Sequence, residues 1–299
     1  MNAIDVNNLS KSFGNVKALE SISFSVKRGE LFGLIGPDGA GKTTLFRLLT
    51  TLLNPNKGSA TIDGLDIVKD YLKIRTIMGY MPGRFSLYPD LTVEENLSFF
   101  ASIFGVNFED SYDLVAPIYK QIEPFRRRQA RKLSGGMKQK LALSCALIHH
   151  PSVLLLDEPT TGIDAVSRSE LWDMLRTLKE KGITILVSTP YMDEASLCDR
   201  IALCNEGRIL EIDTPQGIVE KFNSRLYAVS ADNMFTLLEA ARQIEGVVDC
   251  YPFGQAHHLI AAEIFDTYHF TEQLGGLRNL TINPTKPTIE DVFISLMKQ

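Results

Sequence analysis

The chain is poor in several things that would settle its class at once. Four cysteines in 299 residues (Cys145, Cys198, Cys204 and Cys250) are too few and too irregularly spaced for a disulfide scaffold or a zinc motif. They read as reduced core thiols, and the expected compartment is the cytosol. No apolar run approaches the ~18 residues that cross a membrane. The opening Met1–Asp5 has no charged start followed by an apolar stretch, so no signal segment is expected. Basic residues are not in excess. The net charge is -5, with both signs spread along the chain, and nucleic acid is not an expected partner. The short run Arg126-Arg127-Arg128…Arg131-Lys132 stands apart and reads as a solvated face. Internal repeats, low-complexity tracts and sustained heptads are lacking. His149-His150 and His257-His258 have no third ligand at useful spacing, so no zinc is assigned.

What is present is a hydrophobic fraction of 44%, enough for a sizeable core, on a length that favours two domains. Strand-like and helix-like patterns alternate over residues 1–222. Residues 31–35, 153–156 and 183–187 are short apolar runs, as expected of strands covered on both faces. Residues 43–53 have helical spacing, with Leu45, Leu48, Leu49 and Leu52 on one side. Residues 167–181 form an amphipathic helix between two of the strands. This order predicts an α/β core around a parallel sheet. Residues 92–146 are helical in pattern and read as an insertion. Residues 223–299 form a second, smaller α+β domain. There, strands at 225–231, 247–251, 256–262 and 280–284 alternate with helices at 233–244 and 270–277, in the βαββαβ order of ferredoxin-like folds. A short helix over 289–297 follows.

Gly36-Pro37-Asp38-Gly39-Ala40-Gly41-Lys42-Thr43 fits G-x-x-x-x-G-K-[ST] without a mismatch, after an apolar strand and before a helix. Glycines let backbone N–H groups turn inward around phosphate oxygens. The helix that starts at Lys42 directs its positive end at the same place, and Thr44 continues the first turn. Lys42 is suited to β/γ-phosphate charge and the Thr43 hydroxyl to Mg²⁺. ATP and Mg²⁺ are therefore the expected ligands. Val153–Glu158 is an apolar strand ending in two carboxylates. Asp157 is placed to hold Mg²⁺ through water, and Glu158 to orient or deprotonate an attacking water. Leu133-Ser134-Gly135-Gly136-Met137 opens a helix. Taken alone it is only an N-cap.

In this order and spacing, the P-loop, Leu-Ser-Gly-Gly and Leu-Leu-Leu-Asp-Glu-Pro together resemble the ABC ATPases, over about residues 1–222. The resemblance implies a head-to-tail dimer, with itself or with a paralogous ATPase, in which Ser134, Gly135 and Gly136 of one subunit cap ATP on the P-loop of the other. It also implies that Phe13 stacks on adenine, with Val16 as a second contact, and that Asp164 lies in the loop crossing the dimer interface. The ending Thr288–Phe293, Met137 and Tyr191–Ala195 look like the daunorubicin-resistance type, which pairs with ABC-2-type permeases. By that resemblance the chain powers an exporter from the cytoplasmic face of the membrane. Ribosome-associated relatives usually carry two ATPase domains, and DNA-repair relatives long coiled coils; this sequence has neither pattern.

Two family residues are missing. Gly83 stands where a glutamine is expected, with Arg84 beside it read as solvent-facing. Pro190 stands where a histidine is expected, and Thr189 has a hydroxyl that could partly replace it. These departures leave two expectations open: a working ATPase, or a slow or non-hydrolysing switch paired with a more active partner.

Overall fold

The structure, a computed structural model, describes residues 1–298. It divides into two compact units, residues 1–216 and 217–299. The chain opens with two long antiparallel strands, β1 (Asn2–Phe13) and β2 (Val16–Lys27), whose ends meet at the pair Phe13–Val16. Then come β3 (Leu31–Ile35), α1 (Lys42–Leu49), β4 (Lys57–Ile62), the short β5 (Leu65–Asp66), α2 (Tyr71–Ile77) and β6 (Met78–Met81). A helical stretch follows, with α3 (Val93–Phe104), α4 (Phe108–Tyr119) and α5 (Gly135–Leu147). The core resumes with β7 (Val153–Asp157), α6 (Ala165–Glu180), β8 (Thr184–Thr189), β9 (Arg200–Asn205) and β10 (Arg208–Asp213).

Strands β2-β1-β4-β5 make one antiparallel sheet, and β10-β9-β3-β8-β7-β6 make a second. In the second sheet every neighbouring pair is parallel except β9–β10. Every residue of β3, β7 and β8 is buried, which explains why these segments are continuous in apolar character rather than alternating. Leu45, Phe46, Leu48 and Leu49 of α1 pack into a core that also draws on β1, β2, β4, β7 and β8. The helix is shorter than its apolar spacing predicts. Thr51 takes a left-handed φ of 60°, the N–H groups of Leu52 and Leu53 both turn back to the Arg47 carbonyl, and Leu52 is left exposed.

In the helical stretch, Thr92 and Glu95 form a reciprocal capping box at the start of α3, and Gly105 ends that helix at φ 66°. The buried Asn96 amide donates to the carbonyls of Tyr88 and Thr92, which fixes the approach to the helix. Arg126, Arg127, Arg128, Arg131 and Lys132 are all exposed. All four cysteines are free and buried, and burial alone pushes the Cys145 thiol far up. Among the described residues, no three His, Cys, Asp or Glu side chains cluster as a metal site. Nor is any helix there long and apolar enough to cross a membrane.

After α7 (Pro215–Glu220), the second unit runs β11 (Arg225–Ser230), α8 (Met234–Ala241), β12 (Val247–Phe253), β13 (Ala256–Ala261), α9 (Thr267–Gln273), β14 (Thr281–Pro284) and α10 (Ile289–Met297). Its four strands pair antiparallel in the order β12-β13-β11-β14. This is the expected βαββαβ order. Helix α9 begins earlier than its apolar spacing suggests, because Asp266 caps it by accepting from the Tyr268 and His269 N–H groups. The two histidines of β13 point apart: His257 Nε2 meets the Met234 carbonyl, and His258 Nδ1 lies 2.6 Å from Asp291 Oδ1.

Asp291 is fully buried. It accepts from Tyr251 Oη at 2.6 Å and from the Thr288 N–H and hydroxyl at 2.7 Å each. Burial by itself raises this carboxyl, but the bonds from Tyr251, His258 and Thr288 outweigh it and hold it below the ordinary value. A depressed folded-state pKa stabilises the fold above the unfolded value and loses that contribution as pH falls through the folded one. Asp291→Asn is therefore expected to cost about 1–3 kcal/mol at neutral pH. The gap between variant and wild type should narrow once pH drops below about 4. Urea unfolding of the full chain across pH measures it; a gap that stays constant down to acid would contradict the assignment.

Candidate functional site

Three neighbouring parallel strands end level with one another. Ile35 of β3 is in register with Thr189 of β8, and Ser188 of β8 with Asp157 of β7. Loops leaving the carboxyl ends of such strands are where α/β proteins place their ligands. Here the loop after β3 is the glycine-rich Gly36–Gly41, and it runs directly into α1.

The loop needs its glycines for different reasons. A Cβ on Gly36 would lie 2.1 Å from the Cys204 carbonyl oxygen, and one on Gly41 2.5 Å from that of Ala18. Gly39 has open space around it but takes a φ of 82°. Gly41 precedes α1 with no side-chain cap, so the first N–H groups of that helix stay available to an anion. The Lys42 side chain is only 3% exposed. Its ammonium donates to the carbonyls of Gly36 at 2.8 Å and Pro37 at 2.9 Å, and stands 3.1 Å from Glu158 Oε1. A cation this buried must be paired, and Glu158 supplies the compensating charge.

Asp38, Gly39, Ala40, Gly41, Lys42, Thr43 and Thr44 line a cleft of about 580 Å³ with Val16, Lys17, Ala18, Glu158 and Glu206. Asp157 sits beside it. Its Oδ1 accepts from the Thr43 hydroxyl at 3.3 Å and from Ser188 Oγ at 2.8 Å. Burial raises the Asp157 carboxyl, and the bonds from Ser188 and Thr43 offset this only in part. A cation here would favour its ionised form. The Thr43 and Asp157 oxygens are the hard donors that a magnesium-like ion takes. Tyr80 on β6 also feels this carboxylate: burial, and then the Asp157 charge, push its hydroxyl up to about 12. Glu158 takes a left-handed φ of 51°, unusual for a residue with a side chain. Its N–H donates to both Ser188 Oγ at 3.0 Å and the Ser188 carbonyl at 3.1 Å, which holds it there.

Phe13 is half exposed, with the Lys11 ammonium 5.4 Å from its ring centre. It pairs with Val16, which reaches the cleft, but does not line the cleft itself. Ser134, Gly135 and Gly136 open α5, the first two exposed and Gly136 buried, and none of them lines this chain's own cleft. Ser134 Oγ caps the helix by accepting from the Met137 N–H at 3.3 Å. A Cβ on Gly136 would lie 2.4 Å from Ser167 Oγ, so α5 starts in close contact with the first turn of α6. Asp164 caps α6, accepting from the Ser167 N–H at 2.9 Å and hydroxyl at 2.8 Å, and these bonds hold its carboxyl low.

One sequence expectation fails. The Thr189 hydroxyl is not offered to a phosphate: the residue is fully buried, and its Oγ1 donates to Glu194 Oε2 while accepting from the Tyr191 N–H at 3.1 Å. Arg84 is exposed, as expected. Sequence reading passed over Ser188, whose hydroxyl donates to the Asp157 carboxylate and accepts from the Glu158 N–H; its only signal was its place after an apolar run. Glu206 gave no signal. It reaches the cleft because the Gly207 N–H donates to the Ala40 carbonyl at 3.2 Å and pins the β9–β10 turn against the loop.

A family model described as ABC transporter matches residues 19–161. The chain is 40% identical over 300 residues to the probable multidrug ABC transporter ATP-binding protein YbhF of Escherichia coli (strain K12). That match covers 98% of this chain and 52% of the relative, so the chain spans about half the relative's length. It is 40% identical over 220 residues to the Nod factor export ATP-binding protein I of Burkholderia orbicola, covering 73% of this chain and 72% of that one. Among solved structures it is similar to an ATP-binding subunit of an ABC transporter, with TM-score 0.67 and 30% identity, over 74% of this chain and 93% of the other. It is also similar to a dimeric ATP-binding cassette in a post-hydrolysis state bound to ADP and Pi, with TM-score 0.64 and 26% identity, over 71% and 98% of the two chains. With the P-loop, the paired carboxylates and the Ser-Gly-Gly helix start on this frame, the chain belongs to the family of ABC transporter ATP-binding proteins.

Proposed function

We propose that this chain binds and hydrolyses ATP to power an ABC-2-type membrane exporter through nucleotide-driven closure of a dimer. The observation that carries the reading is the cleft in which Lys42, Thr43 and Glu158 converge, with Asp157 bonded to Thr43 beside it. In this reading the N–H groups of Asp38–Thr44 and the Lys42 ammonium bind the phosphates, with Gly36 and Pro37 holding Lys42 in place. Phe13 stacks on the adenine, with Val16 as the second contact. Thr43 and Asp157 hold Mg²⁺, which supplies charge neutralisation at the phosphate oxygens. Glu158 exchanges its pairing with Lys42 for a water and orients it toward the γ-phosphate. Ser134, Gly135 and Gly136 cap the nucleotide of the opposite subunit, and Asp164 lies at that interface. The dimeric ADP-bound cassette among its structural relatives supports this arrangement.

The membrane partner is an ABC-2-type permease, and the chain works as a peripheral subunit on the inner face of the membrane. The ending Thr288–Phe293 supports the type. An apolar cleft of about 420 Å³ beside α3, α5 and β6, lined by Tyr80, Leu87, Phe100, Ile103, Phe104 and His149 among others, supports docking on the helical stretch. Residues 1–222 are proposed as the ATPase domain, with the helical subdomain near 92–146, and 223–299 as an accessory domain that extends the dimer interface.

A second reading is favoured by Gly83, Pro190 and the committed Thr189 hydroxyl. The first two leave the γ-phosphate without a side chain that the family provides, and the third withholds the hydroxyl that could partly replace one. In that reading the chain is a slow or non-hydrolysing switch beside a more active paralogue.

Phosphate release by the purified chain separates the two. Under the first reading, Glu158→Gln lowers the rate roughly a hundredfold to ten-thousandfold. Lys42→Ala additionally loses ATP binding. Equal rates for wild type and Glu158→Gln would leave only the switch. The docking surface has its own test. Ile103, more than half exposed in the apolar cleft, is changed to Glu. Pull-down from solubilised membranes should then lose the integral membrane protein that the wild type recovers, with phosphate release by the isolated chain unchanged. Undiminished recovery would place the permease elsewhere.

A further inference from the structure

We propose that Glu194 is a positioning residue for ATP turnover, a buried node that sets the P-loop and the catalytic carboxylate at a fixed distance from each other. The inference rests on the hydrolytic reading above. Glu194 lies on a 3₁₀ turn, Met192–Leu197, and is only 2% exposed. One of its oxygens, Oε2, accepts two hydroxyls. One comes from Thr160 at 3.0 Å, two residues after Glu158; the other comes from Thr189, the last residue of β8. Both threonines are fully buried, so each has this carboxylate in place of water.

Thr189 transmits the contact in two directions. Its carbonyl accepts from the N–H of Gly36, the first P-loop glycine, at 3.3 Å. Its hydroxyl oxygen accepts from the Tyr191 N–H and so shapes the turn that contains Pro190. Ser188, the residue before it, holds Asp157 and Glu158. The remaining oxygen of Glu194 stands 3.5 Å from Arg168 Nε, and that guanidinium lies 4.1 Å over the Tyr191 ring. Arg168 sits in the first turn of α6, just past Asp164. One carboxylate therefore ties together the end of β8, the segment after Glu158 and the start of α6. Glu194 lines no part of the cleft, so any effect on turnover must pass through the groups it meets, Thr189 and Thr160 foremost. An ion accepting two hydroxyls in a buried site is stiff, and losing it frees each of these segments.

The test uses the full chain with Glu194→Gln, Thr189→Val and the double variant. Glu194→Gln is expected to lower kcat roughly tenfold to a hundredfold, because small misplacements of reacting groups carry that penalty. KM for ATP should stay within about threefold, since the P-loop's own groups are intact. Thr189→Val should move kcat the same way. The double variant should be no worse than the poorer single, because both act through one contact. A purely structural role predicts otherwise: losses that add and that track a falling thermal midpoint. That result, or an unchanged kcat, would overturn the proposal. Amide exchange over residues 188–191 gives a readout independent of turnover and should quicken in Glu194→Gln. Were wild type and Glu158→Gln to release phosphate equally, the hydrolytic reading would fail; unchanged exchange would then sink the Glu194 node as well.

Discussion

The register of three parallel strands is the constraint on which everything else rests. Because β8 lies between β3 and β7, one short stretch, Ser188-Thr189, faces the start of the P-loop on one side and the acidic pair on the other. A parallel sheet buried on both faces cannot slip without exposing a whole strand or leaving its hydrogen bonds unmade. The phosphate cradle and the carboxylates therefore come from segments more than a hundred residues apart in sequence, yet their spacing is set by the sheet. The glycines refine this placement. Gly36 lets the loop leave β3 against the Cys204 carbonyl, and Gly41 lets α1 begin against that of Ala18.

Within that frame the site is held by opposed charges. The Lys42 side chain is buried, and Glu158 is turned into a left-handed conformation that residues with a side chain rarely take. The two satisfy each other at 3.1 Å. In the proposed reading, a phosphate that claims the lysine also releases the carboxylate, and binding and activation are coupled by a single ion pair rather than by a long pathway. Asp157 has a different role. Burial raises its pKa, with the neighbouring Glu158 charge adding to this, and a cation beside it would favour the ionised form.

The sequence made the local parts of this legible and hid the non-local ones. The P-loop is contiguous, and its residue types are dictated by what backbone N–H groups must do, so its position could be read directly. The apolar runs of β3, β7 and β8 announced burial on both faces. The length of α1 could not be read, because Leu52 continues the apolar spacing while Thr51 breaks the backbone. The start of α9 is hidden because the apolar spacing of Phe270, Leu274 and Leu277 runs past its end, while the polar cap at Asp266 sets its beginning. The fate of Thr189 was invisible for a deeper reason. Its partner Glu194 is only five residues away, but nothing in spacing says that a glutamate in a Met-Asp-Glu-Ala turn faces inward.

The two departures from the family pattern have a common physical setting. At Gly83 a Cβ would lie 3.0 Å from the Asp157 carbonyl oxygen, so this loop approaches the end of β7 more closely than a side-chain-bearing residue ordinarily allows. At Pro190 the chain has no N–H to offer, and the hydroxyl before it is held by Glu194. In both places the chain lacks the polar side chain that the family has, and at Gly83 its backbone is packed close to the acidic strand. In the proposed hydrolytic reading, the site depends less on polar groups converging on the γ-phosphate and more on how firmly Glu158 is held. On that reading the serine behind Glu158, and the buried carboxylate behind that serine's neighbour, bear more on turnover than their distance from the cleft suggests.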